Sequence, residues 1–170
     1  KPQKVVRDVA IWIALAAVLF VGFAYRHEFS AMKDRVVAEI LPHSGTSADD
    51  AISFQKGAHG HFVVEAEVDG IPVRFLVDTG ASDVVLSPAD ARRIGIDPAS
   101  LRYTRIYQTA NGTGRGAPYR LATLSIGPIQ YRDVRVSINE AEMNNSLLGM
   151  SFLRRLSAFE IHGRKLILRK

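Results

Sequence analysis

Asp78-Thr79-Gly80 places a carboxylate, a hydroxyl and a glycine in succession between two apolar runs, Phe75-Leu76-Val77 and Val84-Val85-Leu86. Asp, Thr and Gly are ordinary turn formers, but a turn on an exposed loop is not enclosed by strand-like hydrophobic segments on both sides. A carboxylate in such a place is costly to ionise unless hydrogen bonds or a partner compensate it, which suits it to general acid–base chemistry. Thr79 is expected to donate one compensating bond. Gly80 lets the backbone turn closely beneath the carboxylate with no Cβ in the way. Other chemistries find little support. The 170 residues contain no cysteine, so disulfides, thiolate zinc sites and thiol nucleophiles are excluded. His59, His61 and His162 lack convergent spacing and read as surface residues, so neither metal nor cofactor is expected.

Strands must deliver this carboxylate. Phe62, Val64, Ala66 and Val68 alternate with polar residues, Ile71, Val73, Phe75 and Val77 do the same, and Asp69-Gly70 joins the two runs. That is a strong hairpin signal, and its second arm ends at Asp78. Ser87-Pro88-Ala89-Asp90 predicts a short helix with Ser87 at its N-cap, ended by Gly95. Residues 102–110 and 118–126 alternate as strands on either side of Asn111-Gly112-Thr113-Gly114-Arg115-Gly116. This glycine-rich stretch lacks the Lys-Ser/Thr ending and the following apolar helix of a phosphate loop, and reads as the tip of a long mobile hairpin. Gly127-Pro128 turns the chain into a strand over 129–138, and a polar loop over 139–146 follows. Leu147-Leu148-Gly149 reads as a short buried strand, residues 150–156 as a helix, and Phe159-Glu160-Ile161 with Leu166-Ile167-Leu168 as a final hairpin around Gly163. The domain is expected to be all-β with short helices.

Asp78-Thr79-Gly80-Ala81-Ser82 resembles the active-site signature of aspartic proteases, and Leu147-Leu148-Gly149 resembles their second motif. Pepsin-like enzymes carry two Asp-Thr-Gly copies; this chain has one, so it resembles the retropepsin-like type, in which two identical chains each supply an aspartate. The resemblance covers residues 62–156. It implies a closed β barrel active as a symmetric homodimer, in which two Asp78 carboxylates share a proton and activate a water to hydrolyse a peptide bond. Thr79 would bond across the pair, while Gly80, Ala81 and Ser82 would meet the backbone of an extended peptide. Ala110, Asn111 and Gly112 would form a flap over that peptide, and Leu148 and Gly149 would pack beneath the catalytic loop. Apolar walls imply cleavage beside hydrophobic residues. Two departures stand out: Met150 occupies the place of an arginine that helps hold retroviral dimers, and residues 157–170 extend beyond the C-terminal helix, so the dimer interface is expected to be built differently. A non-catalytic peptide-binding or dimerising scaffold is the competing reading, and the intact Asp-Thr-Gly argues against it.

Residues 9–25 form an uninterrupted apolar run with Trp12 near its start and Tyr25 at its end. Its length is at the short end for a bilayer span, aromatic residues and flanking charges fit interface anchoring, and no signal-peptide cleavage pattern follows. The expected organisation is an anchor with flanks over 1–28, a stalk and linker over 29–51, and a protease domain over 52–170. Phe29, Met32, Val36, Val37 and Ile40 recur at helical spacing in the stalk, and residues 42–50 have linker composition. Flanking positive charge is balanced, so the side facing the domain follows only from resemblance to bacterial membrane-anchored members of the family: an inner-membrane protein with a periplasmic domain. Lys and Arg outnumber Asp and Glu by 22 to 17, for a net charge of +5. The excess is scattered, with no recognition helix or stacking aromatics, and reads as a solvated surface that binds no nucleic acid.

Overall fold

The computed structural model describes Trp12 and residues 46–48, 50–109 and 112–170. The expected anchor over 9–25 and the helical stalk over 29–40, Trp12 apart, lie outside these residues, as do Ala110 and Asn111. Among the described residues no helix is long and apolar enough to cross a membrane.

Strands β3 (Val63–Val68) and β4 (Ile71–Val77) form the expected hairpin. Val64 lies opposite Phe75 and Val68 opposite Ile71. Asp69 and Gly70 both have positive φ, 49° and 84°, as a two-residue turn matched to strand twist requires. The Asp69 carboxylate then accepts a 2.6 Å bond from the Thr123 N–H, pinning the turn to a distant strand.

Six strands close a barrel. Around it run β3, β4, β9 (Ser146–Leu148), β5 (Val85–Leu86), β8 (Ile129–Asn139) and β7 (Gly112–Ile126), and β7 returns to β3 through the pairs Glu67–Ser125 and Val68–Leu124. Strand β6 (Arg105–Thr109) adds to the free end of β7 as a hairpin arm. Val64, Phe75, Leu86, Leu121, Ile138, Leu148 and Phe152 are fully buried within the core, and Val64, Phe75 and Leu121 alternate with more exposed neighbours along their strands. Two short helices, α1 (Pro88–Arg93) and α2 (Met150–Leu153), follow β5 and β9. Ser87 caps α1 as expected, accepting from the Asp90 N–H at 3.0 Å, and Gly95 ends it with φ +85°.

The glycine-rich stretch departs from its expected role. Strand β7 begins at Gly112, six residues before the predicted Pro118, and Gly112, Gly114 and Gly116 pair with Thr109, Tyr107 and Arg105 of β6. Of these three, Gly116 is the one whose surroundings leave no room for a side chain. A Cβ on Gly116 would collide with Ser137 Oγ and lie 2.8 Å from the Tyr107 ring.

A second sheet runs in the order β1 (Thr46–Ala48), β2 (Ala51–Gln55), β11 (Lys165–Arg169), β10 (Ala158–His162). Thr46–Ala48 therefore pairs as a strand where composition indicated linker. Its polar, small residues gain order from the partner strand β2, not from their own pattern. The C-terminal extension forms the expected hairpin, and β2 completes it, with Ile52, Phe54, Leu166 and Leu168 buried.

Candidate active site

Asp78 follows the last residue of β4, where that strand runs parallel to β9 with Val77 opposite Leu148. The Asp78 N–H donates to the Leu148 carbonyl at 3.2 Å, so the second motif holds the first by its backbone. The carboxylate is half-buried, and its Oδ1 accepts a 2.8 Å bond from the Gly80 N–H. The compensating bond assigned to Thr79 is thus made by Gly80. An aspartate side chain reaches the backbone two residues on without strain, and this leaves Thr79 exposed, with no side-chain hydrogen bond among the described residues. A Cβ on Gly80 would sit 3.2 Å from that same oxygen.

The chain leaving the loop is clasped by α2. Met150 and Ser151 donate their N–H groups to the carbonyls of Ala81 and Ser82, each at 2.8 Å, and Ser151 Oγ accepts from the Val84 N–H at 3.0 Å. Gly149 lies so close beneath this segment that a Cβ there would collide with the Asp83 carbonyl oxygen and stand 2.6 Å from that of Ala81. Leu148 beside it is fully buried. Asp78, Thr79, Gly80, Ala81, Ser82, Leu148 and Gly149 therefore form one assembly. Gly112 lies at the start of β7, across from Thr109, with φ +108°.

Residues that sequence reading passed over complete the frame. Buried Ser146, the first residue of β9, accepts from the Ser87 N–H at 3.0 Å and donates to Asp90 Oδ2 at 2.5 Å. A capping box would have Asp90 reach the Ser87 N–H directly; here the serine just before the second motif bridges them and docks β9 onto α1. Asp83, on the outgoing limb of the catalytic loop, accepts from Arg105 at 2.6 Å and from the Tyr107 hydroxyl at 2.7 Å. The hydrogen bond with Tyr107, and then the Asp83 charge, raise the Arg105 pKa above its usual value. Arg105 and Tyr107 stand two apart on one strand, on one face, and that spacing was the available signal. His59, His61 and His162 are all exposed, and His162 bonds Glu160 at 2.8 Å.

A closed six-stranded barrel with one Asp-Thr-Gly loop resting on a Leu-Leu-Gly strand defines the retropepsin-like class. Residues 64–155 match the family described as gag-polyprotein putative aspartyl protease, and the chain belongs to this family. It is 37% identical over 169 residues to an uncharacterized protein of the cobV 5′ region in Sinorhizobium sp, covering 96% of this chain and 72% of that one. An uncharacterized protein of Rickettsia prowazekii (strain Madrid E) is 35% identical over 162 residues, 95% of this chain and 70% of its own. Among solved structures, a retropepsin-like aspartic protease from Rickettsia conorii superposes with a TM-score of 0.65 at 37% identity, over 73% of this chain and 93% of that one.

Proposed function

We propose that the chain is an aspartic endopeptidase whose site is completed when two copies bring their Asp78 carboxylates together. The observation that carries this reading is the half-buried Asp78 carboxylate, held by Gly80 in a loop that α2 and Leu148 fix from below. Family membership and the likeness to the Rickettsia conorii protease support it. One chain offers one such carboxylate, so a second copy is the natural source of its partner. Two carboxylates at close range do not both ionise. The ionised one takes a proton from a water between them while the protonated one donates to the scissile carbonyl oxygen, and the roles reverse as the amine leaves. Thr79, exposed in the single chain, is free to bond across the pair. The substrate is an extended peptide pairing strand-fashion between the catalytic loop and the β6–β7 hairpin. Residues 9–25 anchor the enzyme in a membrane, a reading supported by their unbroken apolar composition and aromatic ends, and the resemblance to bacterial membrane-anchored members of the family supports a periplasmic domain.

The test is cleavage of a denatured protein by the full chain in detergent at mildly acidic pH, with and without pepstatin, beside Asp78→Asn. Asn is nearly isosteric but cannot act as the base, so cleavage should vanish while the fold persists. Undiminished cleavage by the folded variant, in a preparation free of other proteases, would end the assignment. A wild-type chain that binds peptide without cutting it would leave the scaffold reading.

A further inference from the structure

The β6–β7 hairpin has almost no apolar means of holding its place. Of the five residues of β6, none is fully buried; Ile106 is 70% exposed, and Gln108 and Thr109 are exposed as well. The two half-buried residues are Arg105 and Tyr107. Opposite them β7 presents Gly116 and Gly114, which offer no side chain to pack. Both half-buried side chains turn instead to one acceptor, Asp83 Oδ2, and Arg105 also reaches the Tyr107 hydroxyl at 3.3 Å. The Tyr107 ring lies over Gly116, where a Cβ would intrude. On the other side of the same arm, Arg115 donates to the Tyr103 carbonyl at 3.0 Å. Asp83 itself is fixed from below, since its carbonyl faces Gly149 and its neighbours Ser82 and Val84 bond Ser151.

From this geometry we infer that Asp83, Arg105 and Tyr107 form a polar latch that registers the β6–β7 hairpin against the catalytic loop, so that Asp83 is a positioning residue for the proposed reaction. The inference rests on the proposed function only where it concerns activity. A charged acceptor shared by two donors from one strand is directional in a way that apolar packing is not, so it sets where along the loop the hairpin sits. A substrate strand held between hairpin and loop then meets a preformed slot. Without the latch, substrate binding has to order the hairpin first, which weakens binding and leaves the chemistry at Asp78 intact.

The experiment uses the full chain in detergent micelles with a fluorogenic peptide, and the variants Asp83→Ala, Arg105→Ala, Tyr107→Phe and the Asp83→Ala/Arg105→Ala double. Asp83→Ala and Arg105→Ala should each raise KM about tenfold with kcat held within about threefold, and the double variant should be no worse than Asp83→Ala within about twofold. Tyr107→Phe deletes one oxygen, keeps the ring over Gly116 and guards against loss of fold; a KM rise of about two- to threefold is expected. Amide hydrogen exchange supplies a readout independent of catalysis: exchange across Arg105–Thr109 should quicken in all the variants while that of β3 and β4 stays at the wild-type rate. Additive effects in the double variant, a loss confined to kcat, or unchanged exchange in β6 would each overturn the latch. If the wild type shows no Asp78-dependent cleavage, the protease reading fails, and exchange alone decides the latch.

Discussion

Replacing Gly149 by alanine adds one methyl group at the point where the two motifs touch. Gly149 has φ of −92°, a conformation alanine adopts freely, so the effect is steric. The new Cβ would press on the Asp83 carbonyl oxygen, stand 2.6 Å from the Ala81 oxygen and 2.8 Å from the Asp83 carbonyl carbon. These are backbone atoms and cannot rotate aside. Relief requires lifting residues 81–83 off α2, which forfeits the bonds from Met150 and Ser151 to Ala81 and Ser82. Two such bonds are worth about 1 kcal/mol each, and forced overpacking costs about 1–3 kcal/mol. Alanine recovers up to about 1 kcal/mol by restricting the unfolded chain, leaving a net loss of about 2–4 kcal/mol. With a urea slope of about 2 kcal/mol per molar, the unfolding midpoint should fall by about 1–2 M. Peptide cleavage, measured where the variant is still folded, should drop with it, because the displaced segment leads directly from Asp78. Gly163→Ala is the control. Its φ is +58° with nothing within 4 Å, so it should lose about 1–2 kcal/mol through backbone strain alone and keep full activity. A Gly149→Ala chain with wild-type midpoint and wild-type cleavage would refute the claim that close approach of the motifs fixes the loop.

A shared proton on two Asp78 side chains should give a bell-shaped activity profile with an acidic optimum; a profile flat from about pH 4 to about pH 9 would contradict the paired site. Because one chain holds half a site, specific activity should rise with enzyme concentration through the range where sedimentation detects dimer, and a tandem fusion of two copies should remain active at high dilution. Constant activity from a species that sediments as a monomer throughout would refute the shared site. The hydrogen bond from His162, and then the nearby Arg169 charge, hold the Glu160 carboxyl below its ordinary value of 4.5. A depressed folded pKa stabilises the fold above that ordinary value, and the contribution is lost as pH falls through the lower folded value. Glu160→Gln should therefore melt below wild type at neutral pH, with the gap closing toward about pH 3; a gap that persists unchanged to about pH 2 would contradict this account.

The local pieces of this protein were legible along the chain. Alternation over residues 62–77 with Asp69-Gly70 between the arms specified the hairpin, because side chains in a strand change face at every residue and two positive-φ positions admit few residue types. Ser87, Pro88 and Gly95 marked the bounds of α1 by the same kind of short-range chemistry. The Asp-Thr-Gly and Leu-Leu-Gly motifs identified the candidate site and the family. What the tertiary structure alone decided are relations between segments far apart in sequence. Glycines in β7 looked like a flexible tip, yet Gly116 is a strand residue paired with Arg105 and Asn139, and Ser137 and Tyr107, from the two flanking strands, leave no room there for a side chain. Thr46–Ala48 looked like linker, and becomes a strand only because β2 offers it a free edge. Asp83, with Arg105 and Tyr107, and Ser146, with Ser87 and Asp90, meet across 22 to 59 positions of chain. Periodicity reports which face a side chain takes, but not which distant group waits there; closure of the barrel sets that, by bringing β9 between β4 and β5 and leaving Gly149 no room for a side chain.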